Sequence, residues 1–543
     1  SLSGRLEQSG GAIPVGVFAS SALFISSNSS IASAQDISIS GDAGSREVGE
    51  SGIVTGVYIE SSEIRTLPQS TNTPIGTISI NGIGATGPVS SRYGLGNAGI
   101  LLDTARIIGS GQVAIEGEGG ATTSLPAENG PGNAGIAMLN STIESSGSYT
   151  IKGQGGEALL GDGNGGVYIS RSSIEDKSSM TSSIIGIASI GQDLNYGVLI
   201  NNGLFGGTSI YSSGNLLISG TGSEGSVGDQ NYGVFINQNT TITATNQTPE
   251  SPSTLTIDGL SGTGEDLNTG VEILPGVTVS SNGSIVINGK SLGSGTGNDG
   301  VNIGGGTINA DESLVISGIA GSGTEQVGVS IVNSNVQGGG TATASITGKN
   351  GDNSDIAIKD TSLNGFTELE LSGNSLLNNV LINGTLITGS FVDGFSYSDA
   401  SIQDAAFFST PVISSTSTNR NPSESGSLNI QSSNSLLNMP LLAAAEISPL
   451  NTVLDTTMLV NPPPEAVLLP ATEVQQVFSQ GEDQARSRTE QKLGLKSKAR
   501  GGIESRQTSL SFPSLQKFLR GVTDHFQDRP VVVTRPINTS KQP

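Results

Sequence analysis

Amides and carboxylates are the side chains of this sequence whose repetition invites a chemical reading. An amide stands two residues before a recurring glycine in seven consecutive units, as Asn97, Asn133, Asn164, Asn195, Asn231, Asn268 and Asn298, and Gln326 and Asn353 follow at the same place. Such a line can serve as ligands for an ion or a sugar. It can also be structural, because Asn tolerates a left-handed backbone at turns and stacked carboxamides hydrogen-bond to one another. The structural ladder is the expected role. Acidic turns at Glu265-Asp266 and at Glu224 with Asp229 can hold calcium weakly, although solvated turns are the plainer reading. The strings Gly161–Gly166 and Gly295–Gly300 are similar to calcium-binding glycine- and aspartate-rich repeats but lack their tight nine-residue tandem. Cleavage of a glycosidic bond needs paired carboxylates, and no acidic pair recurs at one place on adjacent units. The single histidine, His525, has no Ser or Cys partner at a recognisable motif, and zero Cys removes thiol nucleophiles, disulfides and the usual cysteine-ligated metal sites. No cofactor and no catalytic or metal-binding residue is therefore expected.

The elements that carry these residues are short and periodic. The pattern Gly-[Val/Ile]-x-[Ile/Leu/Met] occurs at Gly56–Ile59, Gly99–Leu102, Gly135–Met138, Gly166–Ile169, Gly197–Ile200, Gly233–Ile236, Gly270–Ile273, Gly300–Ile303 and Gly328–Ile331. Asp355–Ile358 and Asn379–Ile382 close the series, with intervals of 24 to 43 residues throughout. A second element, apolar-x-apolar-x-Gly, follows each time, as in Val113–Gly117, Leu216–Gly220, Ile285–Gly289 and Leu314–Gly318. Between them lies a brief apolar touch such as Ile64, Ile107, Ile143 or Ile174. Period-two alternation predicts half-buried strands, and the glycine after each reads as a sharp turn. Strands of about four residues cannot bury a face alone, so successive units must stack.

The architecture those lengths predict is all-β, a right-handed parallel β-helix of about a dozen coils rising about 4.8 Å each, a rod on the order of 55 Å from Gly16 to Gly389. Like residues then lie above like. Val57, Ile100, Ile136, Val167, Val198, Val234, Val271, Val301, Val329 and Ile356 form one inward column, and the residues two positions later form the next. Their β-branched side chains are stiff and pack well on a pleated surface.

The residue between these columns points outward. It reads Tyr58, Leu101, Ala137, Tyr168, Leu199 and Phe235, then Glu272, Asn302, Ser330 and Ala357. The first six units thus carry an apolar, partly aromatic strip, which a covering loop or a partner must occupy. Long connections in the same units, such as Glu118–Pro131, favour a covering loop. Tyr58, Leu101, Tyr168, Leu199 and Phe235 are the candidate binding face.

A net charge of −23 excludes nucleic acid as a natural partner. No segment is long and apolar enough to be a membrane span. The chain starts at Ser1 with no visible signal peptide, so a processed or truncated start is expected. Three regions are predicted: a rod over 1–390, a Ser/Asn/Pro-rich linker over 391–470 and a helical tail over 471–543. In the tail Val474, Val477, Phe478 and Gly481, and again Leu515, Phe518, Leu519, Val522 and Phe526, repeat at helical spacing. Of the 24 basic residues, 13 lie beyond position 400, so this tail is basic where the rod is acidic, and its basic amphipathic helices are expected to pack as a helical face.

The motifs Asn195–Ile200 and Asn231–Ile236 (Asn-Tyr-Gly-Val-x-Ile), Gly96–Ile100 and Gly132–Ile136 (Gly-Asn-Ala-Gly-Ile), with the apolar-x-apolar-x-Gly element, resemble the rods of filamentous-haemagglutinin-like exoproteins of two-partner secretion systems, of the cyanobacterial type. The resemblance covers about residues 50–390. It implies a secreted or cell-surface adhesin, exported through an outer-membrane transporter, that contacts polysaccharide or cell-surface ligands. The amino-terminal secretion domain of the family has no counterpart here, so a fragment of a longer protein is expected. In some relatives a caspase-like peptidase domain follows the rod, and Leu515–Thr534 is similar to its entry. The expected function is multivalent contact by an extracellular rod. A parallel β-helix polysaccharide lyase or glycoside hydrolase is the alternative, favoured by a shared carboxylate cluster. A passive spacer is the third, favoured if the outer strip is covered.

Overall fold

The computed structural model describes residues 19–388 apart from short connections (27, 45–52, 69–75, 88–96, 122–132, 159–162, 202–205, 224, 226–227, 247–250, 353 and 384–385), together with Leu2–Arg5 and four short strands between Phe395 and Gln431. Among these residues the chain is all-β and every strand pairing is parallel, which makes a parallel β-helix solenoid. One coil shows the plan. Strand Ile100–Asp103 lies in the first sheet, Arg106–Gly109 in the second and Val113–Glu118 in the third. Each pairs with its counterpart one coil on, Ile136–Leu139, Thr142–Ser145 and Tyr149–Gln154.

The register follows the repeat. Val57 lies beside Ile100, Ile100 beside Ile136, and so on through Val167, Val198, Val234, Val271, Val301, Val329 and Ile356. Both inward columns are essentially inaccessible to solvent. The second sheet adds Ile64, Ile107, Ile143, Ile174, Ile210 and Ile242, and all three faces meet in one continuous core. A parallel sheet buried on one face by like residues needs no length in any single strand, since each strand is held from above and below.

The glycines at the ends of the third-sheet strands do something other than turn the chain. Gly289 and Gly318 lie inside strands, and a Cβ added to them would sit 2.0 Å and 1.8 Å from the carbonyl oxygens of Gly300 and Gly328. The same pairing joins Gly220 with Gly233 and Gly259 with Gly270. The third sheet of one coil thus meets the first sheet of the next, backbone against backbone. The sharp-turn reading is corrected: the glycines are there because nothing larger fits the approach.

The amide column is a ladder. Asn164 donates its backbone N–H to Asn195 Oδ1 at 2.9 Å, Asn195 to Asn231 at 3.1 Å, Asn231 to Asn268 at 3.0 Å and Asn268 to Asn298 at 2.8 Å. All are buried. The left-handed backbone does not fall on these residues. It falls on the residue before each, at Gly163, Leu194, Gln230, Leu267, Gly297 and Glu325, so the asparagine is selected for its carboxamide, which caps an amide that would otherwise be buried unpaired. Asn268→Ala is expected to cost about 1–3 kcal/mol, read as a lower denaturation midpoint. A loss within 0.5 kcal/mol, about the scale of an inert surface change, would mean the ladder contributes little.

The repeat degenerates late. Asn335–Lys349 spans the second and third sheets as one strand, and Ser354–Ser372 spans all three. Gly340 and Gly365 take left-handed conformations in these bends, where tighter corners no longer separate the strands. Beyond residue 390, within the expected linker, Phe395–Ser398, Ser401–Gln403, Ala406–Phe407 and Asn429–Gln431 continue the parallel pairing. The helical tail over 471–543, including His525, lies outside the described residues.

Candidate functional site

The outward column of the first sheet is in register as the repeat implies, Tyr58 with Leu101, Tyr168 with Leu199 and Leu199 with Phe235. Its exposure is the correction. Tyr58 is 3% exposed, and Leu101, Tyr168, Leu199 and Phe235 are 1% exposed. They form a second apolar cluster outside the sheet, with Ala137, Leu139, Leu194, Tyr196, Tyr232 and Leu274. The Tyr232 and Phe235 rings pack tilted, 4.8 Å between centroids. The Tyr196 ring lies against Gly165, where a Cβ would come 2.3 Å from it. The candidate binding face is thus an inner layer, and it presents no side chain to a ligand. The connection 122–132, one expected cover, lies outside the described residues.

Polar groups are folded into this layer. The Tyr168 hydroxyl accepts from Asn201 Nδ2 at 3.4 Å, and Asn237 Nδ2 donates to Asn201 Oδ1 at 2.8 Å. The Tyr196 hydroxyl is buried without a hydrogen-bond partner. Burial pushes both phenols above their ordinary range, so they stay neutral throughout the physiological range.

Where the column turns polar, the layer holds two carboxylates. Glu272 stands in register between Phe235 and Asn302 and is 3% exposed. Asn302 Nδ2 donates to both of its oxygens, at 3.1 and 3.2 Å. Asp299, from the next coil, is half-buried and accepts the Val327 amide at 2.8 Å. Burial first, and then the neighbouring Asp299 charge, raise the Glu272 carboxyl to about 8; burial raises Asp299 to about 7. Two carboxyls so placed hold a proton at neutral pH. The pair escaped the sequence reading because its members sit in different columns of adjacent coils. The available signal was an acid at 272 in a column that is otherwise apolar up to Phe235.

Three aspartates of the turns serve the backbone. Asp193 Oδ1 accepts the Asp229 amide at 2.8 Å, Asp229 Oδ1 accepts that of Asp266 at 2.9 Å, and Asp266 Oδ1 accepts that of Thr296 at 2.6 Å. Asp229 and Asp266, two of the turn acids considered for calcium, therefore belong to a capping ladder; Glu265 is exposed, and Glu224 lies outside the described residues. Asp176, fully buried at a corner, accepts from Ser182 Oγ at 2.6 Å and from the Ser213 amide at 3.0 Å. Among the described residues, no three acidic, His or Cys side chains are placed to hold a metal ion. A third ladder, of hydroxyls, was not foreseen: Ser141 Oγ accepts the Ala105 amide at 3.0 Å and Ser172 Oγ that of Ser141 at 3.1 Å. Its only signal was Ser at the start of successive second-sheet strands.

No protein-family model, curated protein or solved structure matches the chain. The site must be read on its geometry.

Proposed function

We propose that the chain is an extracellular structural rod, secreted or held at a cell surface, that works as a spacer rather than by turnover. One observation carries this reading: the strip that would have offered contacts is sealed into a second apolar layer. Large exposed apolar residues, Phe24, Ile83, Met180, Ile187 and Leu376, are scattered along the described surface and make no docking patch. The core and its three side-chain ladders instead supply length and stiffness. The extracellular setting rests on the resemblance to filamentous-haemagglutinin-like exoproteins.

The glycosidase or lyase reading keeps one specific support, the Glu272–Asp299 pair on neighbouring coils. Its weakness is that Glu272 is closed to substrate. A panel of polysaccharides offered to the full chain, with and without calcium, separates the readings. The spacer predicts no saturable binding and no product. Release of reducing or unsaturated ends, lost in Glu272→Gln, would establish the enzyme. Saturable binding without product would restore an adhesin acting through another face.

A further inference from the structure

We propose that Glu272 and Asp299 form a pH-operated latch on the outer apolar layer, closed while the pair keeps a proton and loosened once both are ionised. The geometry places the latch at the seam of that layer. Phe235 lies one coil before Glu272, its ring tilted against Tyr232, and Leu274 follows two residues on. Asn302, one coil after, fixes both carboxylate oxygens. The charged or titratable groups facing Glu272 are Tyr232 from the preceding coil and Asp299 from the following one. The ion pairs found among the described residues involve Arg65, Arg106 and Lys359, and none reaches either carboxylate.

With one proton the pair places a single charge in this setting. With none, two like charges repel within a largely apolar surround, and admitting water is the way to relieve them. Water enters beside the pair, so the strands carrying Phe235 and Glu272 lose protection before the rest of the rod. The direction follows from the two groups. Glu272 is raised from 4.5 to about 8 and Asp299 from 3.8 to about 7, so the folded chain binds more protons than the unfolded chain between those limits. The stability they contribute is present at low pH and is lost as pH rises through the folded values. The latch therefore opens toward alkaline pH, opposite to ordinary acid denaturation.

Amide hydrogen exchange on the full chain between pH 5.5 and 9, corrected for intrinsic rates, tests this. Protection over Val234–Ile236 and Val271–Ile273 is expected to fall about tenfold or more across that range, while Ile100–Asp103, remote from the pair, holds its protection. Glu272→Gln should flatten the profile, and Asp299→Asn serves where that variant fails to fold. Protection independent of pH in the unaltered chain, an equal fall in the remote strand, or an undiminished fall in both variants would each overturn the latch.

Discussion

Gly289→Ala is expected to destabilise the rod by about 3–5 kcal/mol, the range of severe core lesions. The new methyl would lie 2.0 Å from the Gly300 carbonyl oxygen, 2.7 Å from its carbon and 2.7 Å from Val301 Cγ2. The oxygen is not free to retreat, because it accepts the Val271 amide at 3.0 Å and so belongs to the ladder between coils. Moving it opens a backbone hydrogen bond in the interior; leaving it overlaps three atoms. The neighbouring Asn288 is exposed and points away from the core, so Asn288→Ala is the matched control, with an expected cost below about 1 kcal/mol. Chemical denaturation of both variants checks the pair. Equal midpoints would show that the glycine column is not selected by close approach. Because a solenoid is held by nearest-neighbour interfaces, a broadened or split transition in Gly289→Ala would locate the damage at one coil junction.

Phe235→Ser is expected to cost about 3–5 kcal/mol as well, for a different reason. Phe235 is 1% exposed and packs on Tyr232 in the outer layer. Its removal leaves a cavity beside Glu272 that water can fill, and the buried tyrosine loses its ring partner. An exposed contact residue would behave oppositely, with stability unchanged and only binding lost. Denaturation of this variant therefore decides whether the strip is an inner layer in solution. A midpoint shift worth less than about 0.5 kcal/mol, the scale of an inert surface change, would return it to the surface.

What could be read from the residues is what stacking makes repetitive. A parallel solenoid places each residue above its counterpart one coil away, so Val198, Val234 and Val271, or Asn195, Asn231 and Asn268, record their contacts as recurrence in sequence. The inward columns, the coil boundaries and the amide ladder were legible on that ground. Gly220, Gly259 and Gly289 were equally visible, yet recurrence gives a position and not a cause. A glycine needed for left-handed backbone and one needed for backbone contact look alike until the opposing strand is in place.

Alternation and period alone specify the all-β repeat, the parallel stacking and the identity of the core, because both are local consequences of which face meets water. Three further features depend on contacts between coils. The structure showed that the outward strip is buried, since alternation tells which side of a sheet a residue takes and not whether another layer covers that side. It showed that the Asp193, Asp229 and Asp266 carboxylates cap amides of the next coil. And it brought Glu272 to Asp299, because side chains from different columns meet only through the path of the chain between coils, which no periodicity encodes.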